Sequence, residues 1–125
     1  MRKYLSDTDT ELYQKQGAIL IKNTFKPWID LLRDGFEKVL NKPGPHAREN
    51  VTNREGRFFE DYCNWQRINE FKKFAEESPA AQIVAEATRS KSIQLFHEHI
   101  FVKDPGTVKE TPWHQDMPYY CVDGN

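Results

Sequence analysis

The sequence predicts an α+β fold, with helices in the first part of the chain and strands at its end. The chain has 125 residues, which is room for one domain. Over residues 1–90 the apolar side chains recur mainly at helical spacing, between recognisable helix ends. From Ser92 the sequence is rich in β-forming residues and alternates as a strand does. We therefore expect a single domain over 1–125, mainly helical over 1–90 and mainly strands over 91–125.

The first helix is expected to begin after Ser6 and to end at Gly17. A serine hydroxyl accepts hydrogen bonds from the free amides of a first turn, and Asp7 and Asp9 suit the positive end of the helix dipole. Glycine at the end suits a left-handed C-terminal stop. The apolar residues 18–21 that follow predict a short buried strand.

A second helix is expected over 27–40, because Pro27 fits a first helical turn, where its missing amide has no effect. Its predicted apolar face consists of Trp28, Leu31, Leu32, Gly35, Phe36, Val39 and Leu40. The polar residues 46–55 predict a loop, and 57–62 predict a strand. Helices are expected over 70–77 and again from Ser78-Pro79, a cap followed by proline.

The C-terminal third is expected to supply most of the strands. Residues 93–103 alternate and predict one strand. Asp, Pro and Gly at 104–106 predict a turn. One or two further strands are expected over 111–122.

Charge and composition exclude several classes of partner. The net charge is −1, with 18 basic and 19 acidic residues that are interspersed, so no basic surface for nucleic acid is expected. No apolar run approaches the roughly 20 residues that cross a bilayer, and no apolar signal region is present. Cys63 and Cys121 lack C-x-x-C spacing. We expect free thiols and a cytoplasmic protein.

A candidate metal-binding pair lies near the C-terminus. On a strand, residues i and i+2 point to the same side, so His114 and Asp116 are expected to be neighbours. Two histidines and one carboxylate form the facial triad that holds non-haem Fe(II) and leaves positions open for substrate and O2. A lone His-x-Asp is common by chance, so the surrounding residues decide the interpretation.

The surrounding residues resemble the phytanoyl-CoA dioxygenase family. The resemblance rests on residues 95–107, with a strand ending in Val-Lys-Asp-Pro-Gly, and on residues 111–120, which contain Trp-His-Gln-Asp followed by aromatic residues. The segment 71–90 is similar to the helix that precedes this strand in the family. The resemblance covers residues 57–124, and we expect it to extend to the whole chain.

The resemblance implies a double-stranded β-helix, a jelly-roll or cupin-like barrel, with N-terminal helices packed outside it. It implies Fe(II), 2-oxoglutarate as cosubstrate and O2, used to hydroxylate a small-molecule substrate. His114 and Asp116 match the first two iron ligands. The family takes its third ligand, a His, and an Arg that pairs with 2-oxoglutarate from a later strand. Residues 117–125 contain neither, so a truncated chain is expected, inactive alone.

Other residues near the pair are candidates for the cosubstrate and the substrate. His99 and Lys103 are expected on one strand face, where they would contact 2-oxoglutarate; the alternatives are a half-buried histidine and a solvated lysine. Trp113, Tyr119 and Tyr120 are candidates for the substrate pocket, although aromatic residues more often pack in a core.

Two other functions remain open. The first is a cupin-type metal protein that uses His97, His99 and His114, with Glu110, and no 2-oxoglutarate. The second is a non-catalytic barrel fragment that only folds or oligomerises. A partial barrel has unpaired strand edges, so we expect a homo-oligomer. The primary substrate is not determined by these residues.

Overall fold

The computed structural model describes residues 3–50 and 56–121. This part contains four α-helices and one three-stranded antiparallel sheet, which confirms the predicted α+β class. In chain order the elements are α1 (Asp7–Gln16), α2 (Ile29–Asn41), β1 (Arg48–Glu49), β2 (Phe58–Tyr62), α3 (Asn69–Glu77), α4 (Ala80–Thr88) and β3 (His99–Lys103). Short 3-10 helices lie at Lys26–Trp28 and Met117–Tyr119.

The predicted ends of α1 are confirmed. The Ser6 hydroxyl accepts a hydrogen bond from the Asp9 amide at 3.1 Å, and the Asp9 carboxylate accepts one from the Ser6 amide at 3.1 Å. This reciprocal pair satisfies two amides that no helical carbonyl can reach. Gly17 ends the helix at φ 75°, with its amide donating to the Tyr13 carbonyl.

The strand expected over 18–21 is wrong. These residues form no strand, and Leu20 is 81% exposed. Ile19 and Ile21 are partly buried against a small apolar cluster that includes Ile83 of α4. The apolar run therefore packs on helices, because no neighbouring strand within the described residues supplies a hydrogen-bonding ladder.

The main core lies between α2, α3 and the sheet. It consists of Val39, Phe59, Ile68, Phe71 and Ile100. The predicted helices over 27–40, over 70–77 and after Ser78-Pro79 are all present, with ends shifted by one or two residues. Gly35 lets α2 approach α3, since a Cβ there would lie 2.5 Å from Cε1 of Phe71.

The sheet order is β1-β2-β3, with both neighbouring pairs antiparallel. Arg48–Glu49 pairs with β2, although a loop was expected over 46–55; residues 51–55 of that loop lie outside the described residues. In β3, Ile100 is 3% exposed and faces the core. His99, Phe101 and Lys103 lie on the opposite face, as alternation predicted.

The strands expected at the C-terminal end are mostly wrong. Of residues 93–103 only His99–Lys103 forms a strand, because its partner β2 ends at Tyr62, opposite His99. Residues 111–121 contain the 3-10 helix and no strand, and Val122 lies outside the described residues. Prolines at 112 and 118 remove two amides from any ladder there.

Two further sequence expectations concern thiols and membranes. Cys63 and Cys121 are both free and exposed, as expected. Among residues 3–50 and 56–121, no helix combines the length and apolar character that a bilayer crossing requires.

Candidate metal centre

The structure brings His114 and Asp116 together, although the segment that carries them is not a strand. Nε2 of His114 lies 3.2 Å from Oδ1 of Asp116. Both side chains are well exposed, with relative exposures of 41% and 72%. One ring nitrogen and one carboxylate oxygen therefore converge on a single point at the protein surface, which is what two ligands of one cation require.

A backbone carbonyl fixes the proton of the His114 ring. Nδ1 of His114 lies 2.8 Å from the Pro112 carbonyl oxygen. A carbonyl oxygen only accepts, so Nδ1 must carry the proton and donate it. The other ring nitrogen, Nε2, lies 3.2 Å from the Asp116 carboxylate, so it is the nitrogen that remains for a metal ion shared with Asp116. This is the arrangement in which a metal-binding histidine is oriented by a partner on its other nitrogen.

A cavity of about 850 Å³ contains the pair and most of the predicted site residues. The predicted residues that line it are His99, Lys103, His114, Asp116, Tyr119 and Tyr120. Trp113 does not line this cavity; its side chain is fully exposed to solvent. The structure therefore gathers six of the seven predicted site residues around one opening and leaves Trp113 outside it.

His99 faces the cavity as a neutral imidazole. Burial lowers the pKa of His99 below its ordinary value of 6.5, although the Glu60 carboxylate, 3.7 Å away, acts in the opposite direction. The side chain is 29% exposed, and its ring centroid lies 3.9 Å from that of Phe101. A neutral ring offers one donor and one acceptor to a ligand without adding charge.

Lys103 has protein partners of its own. Its ammonium group donates to the Lys109 carbonyl at 3.0 Å and contacts the Thr111 hydroxyl at 3.1 Å. The same nitrogen lies 4.4 Å from the centre of the Phe58 ring. The side chain is thus held at the cavity edge by two oxygens and an aromatic face, rather than extended into solvent.

Two further residues belong to the site, and only one of them stood out in the sequence. His97, named there as a ligand of the cupin-type alternative, lines the cavity, with its ring 5.3 Å from that of Tyr120. Tyr62 lies beside both histidines of this region, 5.3 Å from the ring of His99. The position of Tyr62 follows from the pairing register of β2 with β3, which no local sequence pattern contains.

A second cavity, of about 550 Å³, adjoins the first. It is largely apolar and lies between α2, α3, α4 and residues 93–100. His99 and Phe96 line both cavities, so they form the boundary between the polar site and an apolar space.

The ligand set is incomplete within the described residues. No group of three or more His, Cys, Asp or Glu side chains there is arranged to hold a metal ion. The cupin-type set of His97, His99 and His114 with Glu110 is therefore not assembled. The pair His114 and Asp116 remains as the candidate centre.

Comparison with known proteins adds one finding. The family model described as phytanoyl-CoA dioxygenase (PhyH) matches residues 13–124. Neither a curated protein nor a solved structure matches the chain significantly. The matched span runs from α1 through the whole sheet and includes both members of the candidate pair. Since the match covers far more than half of the chain, the chain belongs to the phytanoyl-CoA dioxygenase family.

Proposed function

We propose that this chain provides part of a non-haem Fe(II)- and 2-oxoglutarate-dependent dioxygenase, which hydroxylates a small-molecule substrate with O2. The observation that carries the proposal is the His114–Asp116 pair, whose ligand atoms lie 3.2 Å apart within the span matched by the family. An imidazole nitrogen and a carboxylate oxygen are two of the three donors of the facial triad.

The donor chemistry of the pair fits Fe(II). His114 would bind through Nε2, because its Nδ1 is committed to the Pro112 carbonyl. Asp116 would contribute a carboxylate oxygen and reduce the charge of the ion. When bound, the iron and its cosubstrate supply the oxidising chemistry; the residues of this chain hold and orient them.

We propose that His99 and Lys103 face the cosubstrate. 2-Oxoglutarate is a dicarboxylate, and the ammonium group of Lys103 favours a negative charge at this edge of the cavity. His99, neutral because burial lowers its pKa, can donate a hydrogen bond to a carboxylate. Tyr119 and Tyr120 border the same opening and would contact the substrate.

The proposal requires a third iron ligand and a partner for the far carboxylate of the cosubstrate. The described residues supply two ligands. We propose that the sheet β1-β2-β3 is part of a double-stranded β-helix barrel, whose other strands carry a His and an Arg for these roles. The 125-residue chain alone is then inactive. We also propose that a second copy pairs at the edge of β3, which has no further strand beside it among the described residues.

The incomplete ligand set favours a second candidate function. In that case the chain is a non-catalytic barrel fragment that folds or self-associates, and the His114–Asp116 pair is a remnant of the family's site. The two candidates differ in one property: only the first requires that the pair bind a metal ion together with 2-oxoglutarate.

The test uses the 125-residue chain, Fe(II) and 2-oxoglutarate without oxygen. Trp113 adjoins His114 in the chain and is fully exposed, so its fluorescence reports changes at the pair. We expect weak 2-oxoglutarate binding that requires Fe(II) and is lost in His114→Ala. Glu37→Ala is the control, since Glu37 is exposed on α2 and does not line the cavity.

Metal-independent binding, or equal binding by His114→Ala, would contradict the proposed dioxygenase function. With oxygen admitted, we expect no succinate from the isolated chain. Succinate release would show that these residues already form a complete site.

A further inference from the structure

The loop between β3 and the His114–Asp116 pair is tied to the sheet at its start. The Asp104 amide donates to the Arg57 carbonyl at 2.9 Å. The Thr107 hydroxyl lies 2.8 Å from the Gly56 carbonyl and 2.9 Å from that of Arg57. Gly106 adopts φ 89°, which closes the turn. The first half of the loop is therefore fixed by backbone contacts with the strand beside it.

Lys103 attaches the second half of the loop to the end of β3 through hydrogen bonds. Its ammonium group reaches back from the last residue of β3 to the Lys109 carbonyl and the Thr111 hydroxyl, at 3.0 and 3.1 Å. The ring of Phe58, which is 5% exposed, provides a rigid base 4.4 Å below the nitrogen. Two of the three N–H donors of Lys103 are thus directed at loop oxygens.

This contact ends one residue before the group that orients His114. Thr111 precedes Pro112, whose carbonyl accepts the Nδ1 proton of His114. We propose that Lys103 is a positioning residue: it holds the Pro112 carbonyl in place, and thereby fixes the direction of the His114 ring. The metal-binding part of this inference rests on the proposed function.

This role differs from that of a cosubstrate ligand or a solvated lysine. A solvated lysine would make no difference to the His114 ring. A lysine that served only the cosubstrate would affect 2-oxoglutarate binding and leave the metal-free ring unchanged. A positioning lysine changes the His114 ring even when neither metal nor cosubstrate is present.

The test compares Lys103→Met, which keeps the stem and removes the donors, with Lys103→Arg, which keeps the donors. Lys91→Met is the matched control, because Lys91 is exposed at a distance in sequence from this loop. NMR of the metal-free 125-residue chain reports the direction of the His114 ring through nuclear Overhauser contacts with the Tyr119 ring, whose centroid lies 6.2 Å away. Titration with Co(II) alone reports affinity.

In the unaltered chain we expect the contacts between the His114 and Tyr119 rings to be present. In Lys103→Met we expect these contacts to be lost and the Co(II) affinity to be about ten- to hundredfold lower, the usual effect of losing a group that orients a ligand. Lys103→Arg should restore both properties, and Lys91→Met should change neither.

Unchanged contacts between the His114 and Tyr119 rings in Lys103→Met would overturn the positioning role. If Lys103→Met does not fold, Thr111→Val removes the loop acceptor instead, and Thr111→Ser restores it; equal ring contacts in those two variants would also overturn the inference. If the ring contacts are lost as expected but no chain binds Co(II), the positioning role stands and the proposed metal function fails.

Discussion

Replacing Glu98 with glutamine should destabilise the protein strongly, although the substitution replaces only one oxygen with a nitrogen. One carboxylate oxygen accepts the Asn64 amide, and the other accepts the Trp65 amide at 3.0 Å. These contacts attach the segment before β3, which forms no strand at residues 91–98, to the loop after β2. They also set the place of His97 and His99, its two neighbours in the chain.

The expected loss of stability in Glu98→Gln follows from the two carboxylate oxygens, each of which accepts one amide. Glutamine keeps one oxygen for one amide but turns an NH2 group towards the other amide, so that two donors face each other. The lost charge-assisted hydrogen bond contributes about 1.5–3 kcal/mol, and the unsatisfied amide costs about 1–3 kcal/mol. Since the two effects overlap, we expect a loss of about 2–5 kcal/mol in the free energy of unfolding.

Urea unfolding followed by tryptophan fluorescence measures this loss, because Trp65 is part of the contact. Glu77→Gln is the matched control: Glu77 is exposed at the end of α3, and its replacement should change stability by no more than about 0.5 kcal/mol. If Glu98→Gln is as stable as Glu77→Gln, the carboxylate does not anchor this segment and the reasoning fails.

Three further predictions concern pH and packing. Burial raises the pKa of Glu86, but hydrogen bonds, including one from the Leu5 amide, more than offset it, so the pKa lies below its ordinary 4.5. Stability is then lost as pH falls below about 4.5, and Glu86→Gln should flatten that loss in acid-unfolding curves. The pKa of His99 is lowered in the folded protein, so the unfolded chain binds the proton of this residue more readily. The free energy of unfolding should therefore fall as pH drops below 6.5, and it should fall less in His99→Gln; urea unfolding between about pH 5 and 8 measures both. Phe59→Ala should cost about 3–5 kcal/mol in urea unfolding because Phe59 is 2% exposed, whereas Phe101→Ala, at 53% exposure, should cost clearly less; equal losses would contradict the assigned core.

The helices were predictable because their signals are local. Ser6, Asp9 and Gly17 determine the ends of α1 through contacts within a few residues, and the structure contains those contacts. The spacing of the apolar residues in α2 likewise predicts which face of the helix is buried.

The strands were less predictable because a strand exists only where a partner lies beside it. Residues 18–21 are an apolar run and residues 93–98 alternate, both as in strands, yet the described residues offer them no partner strand. The longest pairing is that of β2 with β3, over the five residue pairs from Phe58 with Lys103 to Tyr62 with His99.

The residues of the candidate site could be predicted from the sequence, but the contacts that hold them in place could not. Two positions apart, His114 and Asp116 meet in a loop as they would on a strand. The Pro112 carbonyl and the Lys103 contacts could not be predicted, because they depend on the path of the loop back across Phe58. Trp113 shares the motif of the pair, yet it points to solvent, because side-chain direction in a loop follows no fixed period.

Titration of the 125-residue chain with Co(II) tests the central claim most directly. We expect weak binding at one site, with the His114 ring as a ligand, and at least about tenfold weaker binding in both His114→Ala and Asp116→Asn, with Glu37→Ala unchanged. Equal Co(II) affinity in the unaltered chain, His114→Ala and Asp116→Asn would contradict the assignment of this pair as the metal centre.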